Sequence, residues 1–222
     1  MQIVAVLFSN LTQLDLTGPF EVFHRIPGAA VHLAAKTLDP VRAEGGLTLL
    51  PSVTFADAPA ADVLFVPGGI GVNDAMLDKE VLAFVRRPAK WITSVCTGAL
   101  VLGAAGLLDG YDAATHWAAM QYLPRFGAKP IQRRVVVDRN RITGGGVTAG
   151  IDIALTIAAE THGRVVAEAI QLGIEYAPDP PFDSGTPDKA SADVRAAVEA
   201  RLAKTRMIRE QAVELAASRL RA

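Results

Sequence analysis

The 222-residue chain has one cysteine, four histidines, no excess of either charge sign and no internal repeat, and each shortage removes a class of protein. One cysteine cannot close an intramolecular disulfide, and a first strand that begins almost at Met1 leaves no room for a signal peptide. A reducing cytoplasm is the expected compartment. With 22 basic residues against 23 acidic ones there is no electrostatic footprint for nucleic acid or an anionic membrane, so neither is an expected partner. The longest apolar run, Gly98 to Leu108, is about half of the ~20 residues that cross a bilayer, which points to a soluble protein. There is no Gly-Lys-Ser/Thr phosphate loop, and Gly68-Gly69-Ile70-Gly71 is not a dinucleotide fingerprint. Glu21 and His24 have the i, i+3 spacing of half a metal site, but no second half exists, and His32 and His162 stand alone. No cofactor and no metal are expected.

What is present is an alternation of strands and helices. Ile3 to Phe8 is a continuous apolar run, as in a parallel strand buried on both faces. A first helix is expected over Phe20–Ile26, with Pro19 near its first turn. Strands follow at Val31–Ala35 and Asp62–Val66, with a hairpin between Val41 and Leu50 broken by Gly45-Gly46. Then come a helix from about Asp78 to Arg87, a β-branched strand Trp91–Val95 and an apolar helix Gly98–Leu108. A short helix near Trp117–Leu123 precedes a strand pair, Arg134–Asp138 and Arg141–Thr143; helices from about Thr148 to Glu160 and Val165 to Ile174 follow. This order implies an α/β fold with a mostly parallel sheet covered on both faces and a site at the C-terminal ends of its strands. The prolines of Ala177–Pro187 exclude helix or central strand there, and an alanine-rich helical extension runs from Ser191. We divide the chain into a domain over 1–190 and a helical extension of it over 191–222.

Cys96-Thr97 is the turn between the strand ending at Val95 and the helix starting at Gly98. A nucleophile on such an elbow stands clear of the sheet, and the first free N–H groups and the dipole of the helix favour its thiolate. The alternative is a small buried core residue. The loops Asp15–Gly18 and Gly68–Gly71 should meet Cys96 above the sheet. The backbone of Gly68-Gly69-Ile70 is either a second donor, beside Thr97, for a developing negative charge, or a plain tight turn. Asp15, in the apolar frame Leu14-Asp15-Leu16, is either a proton carrier whose pKa is raised by burial and a neighbouring thiolate, or a helix cap. His116 is the only histidine with access to this place, as an orienting or core residue rather than the base.

Leu14-Asp15-Leu16-Thr17-Gly18-Pro19-x-Glu21-Val22, Phe65-Val66-Pro67-Gly68-Gly69, Thr93-Ser94-Val95-Cys96-Thr97-Gly98, Ala114-Thr115-His116-Trp117 and Thr143-Gly144-Gly145-Gly146 occur in this order. The set resembles the PfpI-like branch of the class I glutamine amidotransferase-like superfamily. Within that branch, Tyr176-Ala177-Pro178-x-Pro180-Pro181-Phe182 and the helical tail make the chain similar to the isocyanide hydratases over nearly its whole length. The resemblance implies a flavodoxin-like sandwich, a homodimer, and cofactor-free hydration of R–N≡C to an N-substituted formamide. Carried over by motif, Cys96 would be the nucleophile, forming a thioimidate, and Asp15 the acid/base. Thr17, Thr97, His116 and Gly68-Gly69-Ile70 would shape the pocket.

Departures from sister families narrow this reading. Protease relatives carry His directly after the nucleophile, where this chain has Thr97; glutamine amidotransferases carry a late His and Glu, where it has Gly144-Gly145-Gly146-Val147-Thr148. The ligand-sensing domain of AraC-type regulators shares several of the motifs but continues into a helix-turn-helix domain of about a hundred residues, whereas 37 residues follow Gly185 here. A thiol-based stress or aldehyde-repair protein is the third reading.

Overall fold

Apolar runs place the sheet. In a computed structural model, which describes residues 1–221, Ile3–Val6 and Val63–Val66 are almost wholly buried, as strands covered on both faces must be. In chain order the elements are β1 (Gln2–Val6), α1 (Gln13–Phe23), β2 (Ala30–Ala35), β3 (Val41–Arg42), β4 (Thr48–Leu49), β5 (Val53–Thr54) and β6 (Ala61–Val66). Next are α2 (Val72–Ala75), α3 (Lys79–Val85), β7 (Ala89–Ser94), α4 (Gly98–Ala104), β8 (Asp112–Ala113), a 3₁₀ stretch Trp117–Phe126 and β9 (Lys129–Pro130). Then follow β10 (Val135–Asp138), β11 (Arg141–Gly144), α5 (Ala149–His162), α6 (Arg164–Gly173) and α7 (Ala192–Arg221). The main sheet has the order β10-β11-β7-β6-β1-β2-β5 and is parallel except for the β10/β11 hairpin. This is the flavodoxin-like α/β architecture expected from the alternation of strands and helices.

From β1 the chain passes to β2 and β5 on one side, then crosses to β6 on the other. The loops leaving β1 and β6 therefore diverge at the C-terminal edge, where such sheets form a crevice. Backbone hydrogen bonds lock the two loops together: Thr12 N–H donates to Gly68 O at 2.9 Å and Gly71 N–H to Asn10 O at 3.0 Å.

The first helix departs from the sequence expectation. It begins at Gln13 and contains Pro19, so Asp15 lies in its first turn rather than in a loop before it. Pro19 packs against α5 at a glycine: a Cβ on Gly150 would lie 2.9 Å from Pro19 Cδ. The apolar face of α1 is covered within the chain by α5, with Val22 and Phe23 buried, so this helix does not require a second subunit. The short β5, β8 and β9 were not anticipated; their two-residue length carries no periodic signal.

On the other side, α4 packs with α2, α3, α7 and the 3₁₀ stretch. The C-terminal helix is no loose appendage: Ala212, Val213, Ala216 and Ala217 are buried in the core. The segment Ala177–Pro187 has neither helix nor strand and is mostly exposed. Among the described residues no helix is long and apolar enough to cross a membrane.

Two glycines test this packing. A Cβ on Gly98 would lie 2.2 Å from Val66 O and 2.7 Å from Pro67 O, backbone atoms that cannot give way. Gly173 in α6 has nothing within 4 Å of that position. Gly98→Ala should destabilise by on the order of 3 kcal/mol, whereas Gly173→Ala should be neutral or stabilise by up to ~1 kcal/mol. Urea unfolding monitored by circular dichroism measures both; equal stabilities would show that the loop after β6 is not packed against α4 as described.

Candidate active site

Cys96 sits on the elbow and is held there by its backbone. Its φ of 53° is in the left-handed region, which is uncommon outside glycine and costs about 1–3 kcal/mol where the surroundings enforce it. Its N–H donates to Gly145 O at 2.8 Å, and its carbonyl accepts from Thr115 Oγ1 at 2.7 Å. Gly98 continues directly into α4. The turn thus ties β7 to the segments after β8 and β11, and the sulfur reaches the N–H groups of Thr97 and Val147.

Asp15 is fully buried beside it. Oδ2 accepts from Gly68 N–H at 2.8 Å, whereas Oδ1 is buried with no hydrogen-bond partner of regular geometry, and the carboxyl interacts with the Cys96 thiol. Burial raises the Asp15 pKa to about 7, against the Gly68 N–H and the thiol, which favour the carboxylate; the charge of Glu44 adds to the rise. Burial, then the Asp15 charge, also pushes the Cys96 thiol up, and the N–H groups of Thr97 and Val147 do not overcome them. The expectation of a thiolate favoured by the helix start is therefore corrected. In the resting pair Asp15 ionises first and the sulfur keeps its proton.

The Gly68-Gly69-Ile70 loop also differs from expectation. Gly68 N–H is spent on Asp15, Gly69 N–H on Thr97 Oγ1 at 3.0 Å, and Ile70 N–H on Glu44 Oε1. None is left to stabilise a new negative charge. The glycines act sterically, since a Cβ on Gly68 would lie 2.6 Å from Thr97 N and 2.8 Å from Asp15 Oδ2. Thr97 also donates from Oγ1 to Gly69 O at 3.2 Å, clamping the loop to the elbow.

Above the sulfur lies a cavity of about 670 Å³, bordered by Cys96, Thr97, Gly69, Ile70, His116 and Val147, and also by Tyr122, Glu44 and α7. Asp15 and Gly68 lie beneath its floor. Thr17 does not border it; its hydroxyl donates to Gln13 Oε1 on α1 at 2.8 Å. His116 accepts at Nδ1 from Ala118 N–H at 3.2 Å, so its neutral ring carries the proton on Nε2. Burial, then the charge of Arg209, keeps it neutral by lowering its pKa. Its hydrogen bond is to its own loop rather than to Cys96 or Asp15. Glu21 and His24 form an exposed pair 3.8 Å apart, and no cluster of three or more His, Cys, Asp or Glu suited to a metal occurs among the described residues.

Sequence reasoning missed Arg209, Glu44 and the backbone of Val147. Arg209 donates from Nε to Asn73 Oδ1 at 3.1 Å and from Nη2 to Gly69 O at 3.3 Å, so α7 is part of the site wall. A signal for it existed: positions 202, 205, 206, 209, 212, 213, 216 and 217 form one inward stripe, and arginines stand where small or apolar residues are expected. Glu44 and Val147 carried no such signal.

Known proteins show which family the chain belongs to. The chain is 50% identical over 223 residues to "Isonitrile hydratase" of Pseudomonas putida, covering 99% of this chain and 98% of that protein. A THiJ/PfpI family protein from Pseudomonas syringae superposes with a TM-score of 0.93 at 45% identity, over 96% of this chain and 90% of that one. The "HTH-type transcriptional regulator GbdR" of Pseudomonas aeruginosa is 34% identical over 177 residues, which are 74% of this chain and 48% of the regulator. Residues 1–160 match the DJ-1/PfpI family, and the chain belongs to that family.

Proposed function

We propose that the protein is an isocyanide hydratase, adding water to R–N≡C to give an N-substituted formamide. The observation that carries the proposal is the buried Asp15–Cys96 pair, with no histidine bonded to either member, beneath an open cavity that Cys96 borders. The near full-length similarity to the Pseudomonas putida protein supports it. A ligand-sensing role without chemistry is less well supported, because the regulator match is 34% identical over 74% of this chain and the hydratase match 50% over 99% of it.

The chemistry follows from one proton shared by two acids. With Asp15 ionised and Cys96 protonated, transfer from sulfur to carboxylate gives the reactive form, thiolate beside carboxylic acid. The sulfur attacks the terminal isocyanide carbon while Asp15 returns the proton to that carbon, giving the thioimidate R–N=CH–S–Cys96 and an Asp15 carboxylate. Asp15 then takes a proton from water as the oxygen bonds to the same carbon, and passes it to nitrogen. In the resulting R–NH–CH(OH)–S–Cys96 the C–S bond breaks, the hydroxyl proton goes by way of Asp15 to sulfur, and R–NH–CHO leaves. The N–H groups of Thr97 and Val147 would steady the sulfur when it is anionic, at the beginning and the end of the cycle.

A homodimer belongs to the same proposal. Val165 and Leu172 on α6 and Phe182 are 78%, 81% and 80% exposed, apolar surface that a second copy would cover.

Cys96→Ala should abolish hydration of an aryl isocyanide with the fold intact, and Asp15→Asn should lower the rate by on the order of 10² to 10⁴. Rapid quench should trap the intact isocyanide mass on the Cys96 peptide; turnover surviving Cys96→Ala would overturn the covalent route in favour of water activated by Asp15. Because the reactive pair carries one proton and the first is lost near pH 7, kcat/KM should fall about tenfold per unit as the pH drops below about 7, and level off above it. A profile flat from pH 5 to 8 would mean that the pair does not titrate there. Sedimentation at micromolar concentration should give a dimer, and a monomer would remove that part of the proposal.

A further inference from the structure

The wall that α7 contributes to the cavity is cationic. Arg201, Arg206 and Arg209 all border it, against one carboxylate, Glu44. Elsewhere on the molecule some arginines find acids, as Arg25 with Glu21, Arg125 with Glu214, Arg139 with Asp138 and Arg164 with Glu168, and others, as Arg86, Arg87 and Arg141, spend their donors on backbone carbonyls. None of the three cavity arginines makes an ion pair among the described residues. Glu44 is occupied otherwise, accepting from Ile70 N–H and, at 3.2 Å, from Thr12 Oγ1.

The donors of these arginines are also unspent. Arg209 uses Nε on Asn73 and one Nη2 N–H on Gly69 O, both neutral acceptors, which leaves three of its five N–H groups without a protein partner. Arg206 Nε is buried with no partner at all. A half-buried guanidinium that makes no ion pair is costly, and burial lowers the Arg209 pKa although the charges of Cys96, Tyr122 and Glu44 oppose it. Such donors, three residues apart on one helix face, fit a planar two-oxygen anion.

We infer that the substrate is an isocyanide whose R group carries a carboxylate, bound by Arg206 and Arg209 with Arg201 at the mouth. The inference rests on the hydratase reading for the reacting end of the molecule and on the arginines alone for the other end. An alternative duty for Arg209, steadying the Cys96 thiolate, would act on charged and neutral isocyanides alike and so leave their ratio unchanged.

The test compares 4-isocyanobenzoate and isocyanoacetate with the corresponding amides on the wild type, Arg206→Gln, Arg201→Gln and Arg209→Met. At least one carboxylate should exceed its amide in kcat/KM by tenfold or more. That ratio should shrink as salt is raised and collapse towards one in Arg206→Gln and Arg209→Met, whatever happens to the absolute rates. Calorimetry with 4-formamidobenzoate and 4-formamidobenzamide reads the same subsite without turnover, and the carboxylate should bind at least tenfold tighter. If Arg209→Met does not fold, Arg206→Gln and the calorimetric pair still decide. Hydration of all four isocyanides with no preference, and equal binding of the two formamides, would overturn the carboxylate subsite and leave the hydratase reading standing. Tighter binding of the formamidobenzoate without turnover of any isocyanide would do the reverse.

Discussion

Two acids that would each prefer to be neutral share one dry place in this protein, and much of the surrounding structure serves to keep them there. Asp15 comes from the helix after β1, Cys96 from the turn after β7, and the loop after β6 runs between them. Gly68 is the meeting point. Its N–H fixes one carboxyl oxygen, and its missing side chain lets Thr97 and Asp15 approach the same backbone. A water-filled cleft could hold the same two groups, but each would then ionise near its ordinary pKa and no shared proton would result. Burial moves the carboxyl into the neutral range and holds the proton on sulfur.

That arrangement is unfavourable for stability, and the fold offsets it locally. A left-handed backbone at Cys96 is held by hydrogen bonds on both sides, from Cys96 N–H to Gly145 and from Thr115 to the Cys96 carbonyl. The glycines at 68, 69 and 98 remove side chains that would otherwise collide with backbone at separations of 2.2 to 2.6 Å. Strain is thus confined to one turn, while the apolar strands beneath it supply an uninterrupted core.

Much of this was legible in the sequence where the signal was local. The runs Ile3–Val6 and Val63–Val66, the elbow at Cys96-Thr97 and the proline segment depend on residues close together in the chain, and periodicity or turn chemistry reports them. The start of α1 was not legible, because Pro19 packs against Gly150, 131 positions away in the numbering. The state of the thiol was not legible either. A helix start argues for a thiolate, but the burial and the neighbouring carboxyl that reverse the preference exist only in three dimensions. The same holds for the Gly68-Gly69-Ile70 donors, which look free in sequence and are each claimed by a distant side chain.

The C-terminal helix shows how one scaffold can host different chemistry. The match to the DJ-1/PfpI family ends at residue 160, so the floor of the site, Asp15 and Cys96, lies inside the shared domain and the α7 wall lies outside it. α7 is anchored by small buried residues, Ala212, Val213, Ala216 and Ala217, which let it lie close against α4 and the 3₁₀ stretch. Its preceding turns then bring Arg206 and Arg209 to the cavity that Cys96 also borders. Because the anchoring and lining residues are separate, the lining can change without disturbing the attachment, and the reacting pair can keep its proton while the cavity above it is reshaped for another R group. A floor set by burial and a wall set by a single helix are thus two separate parts of the site, one inside the family match and one outside it.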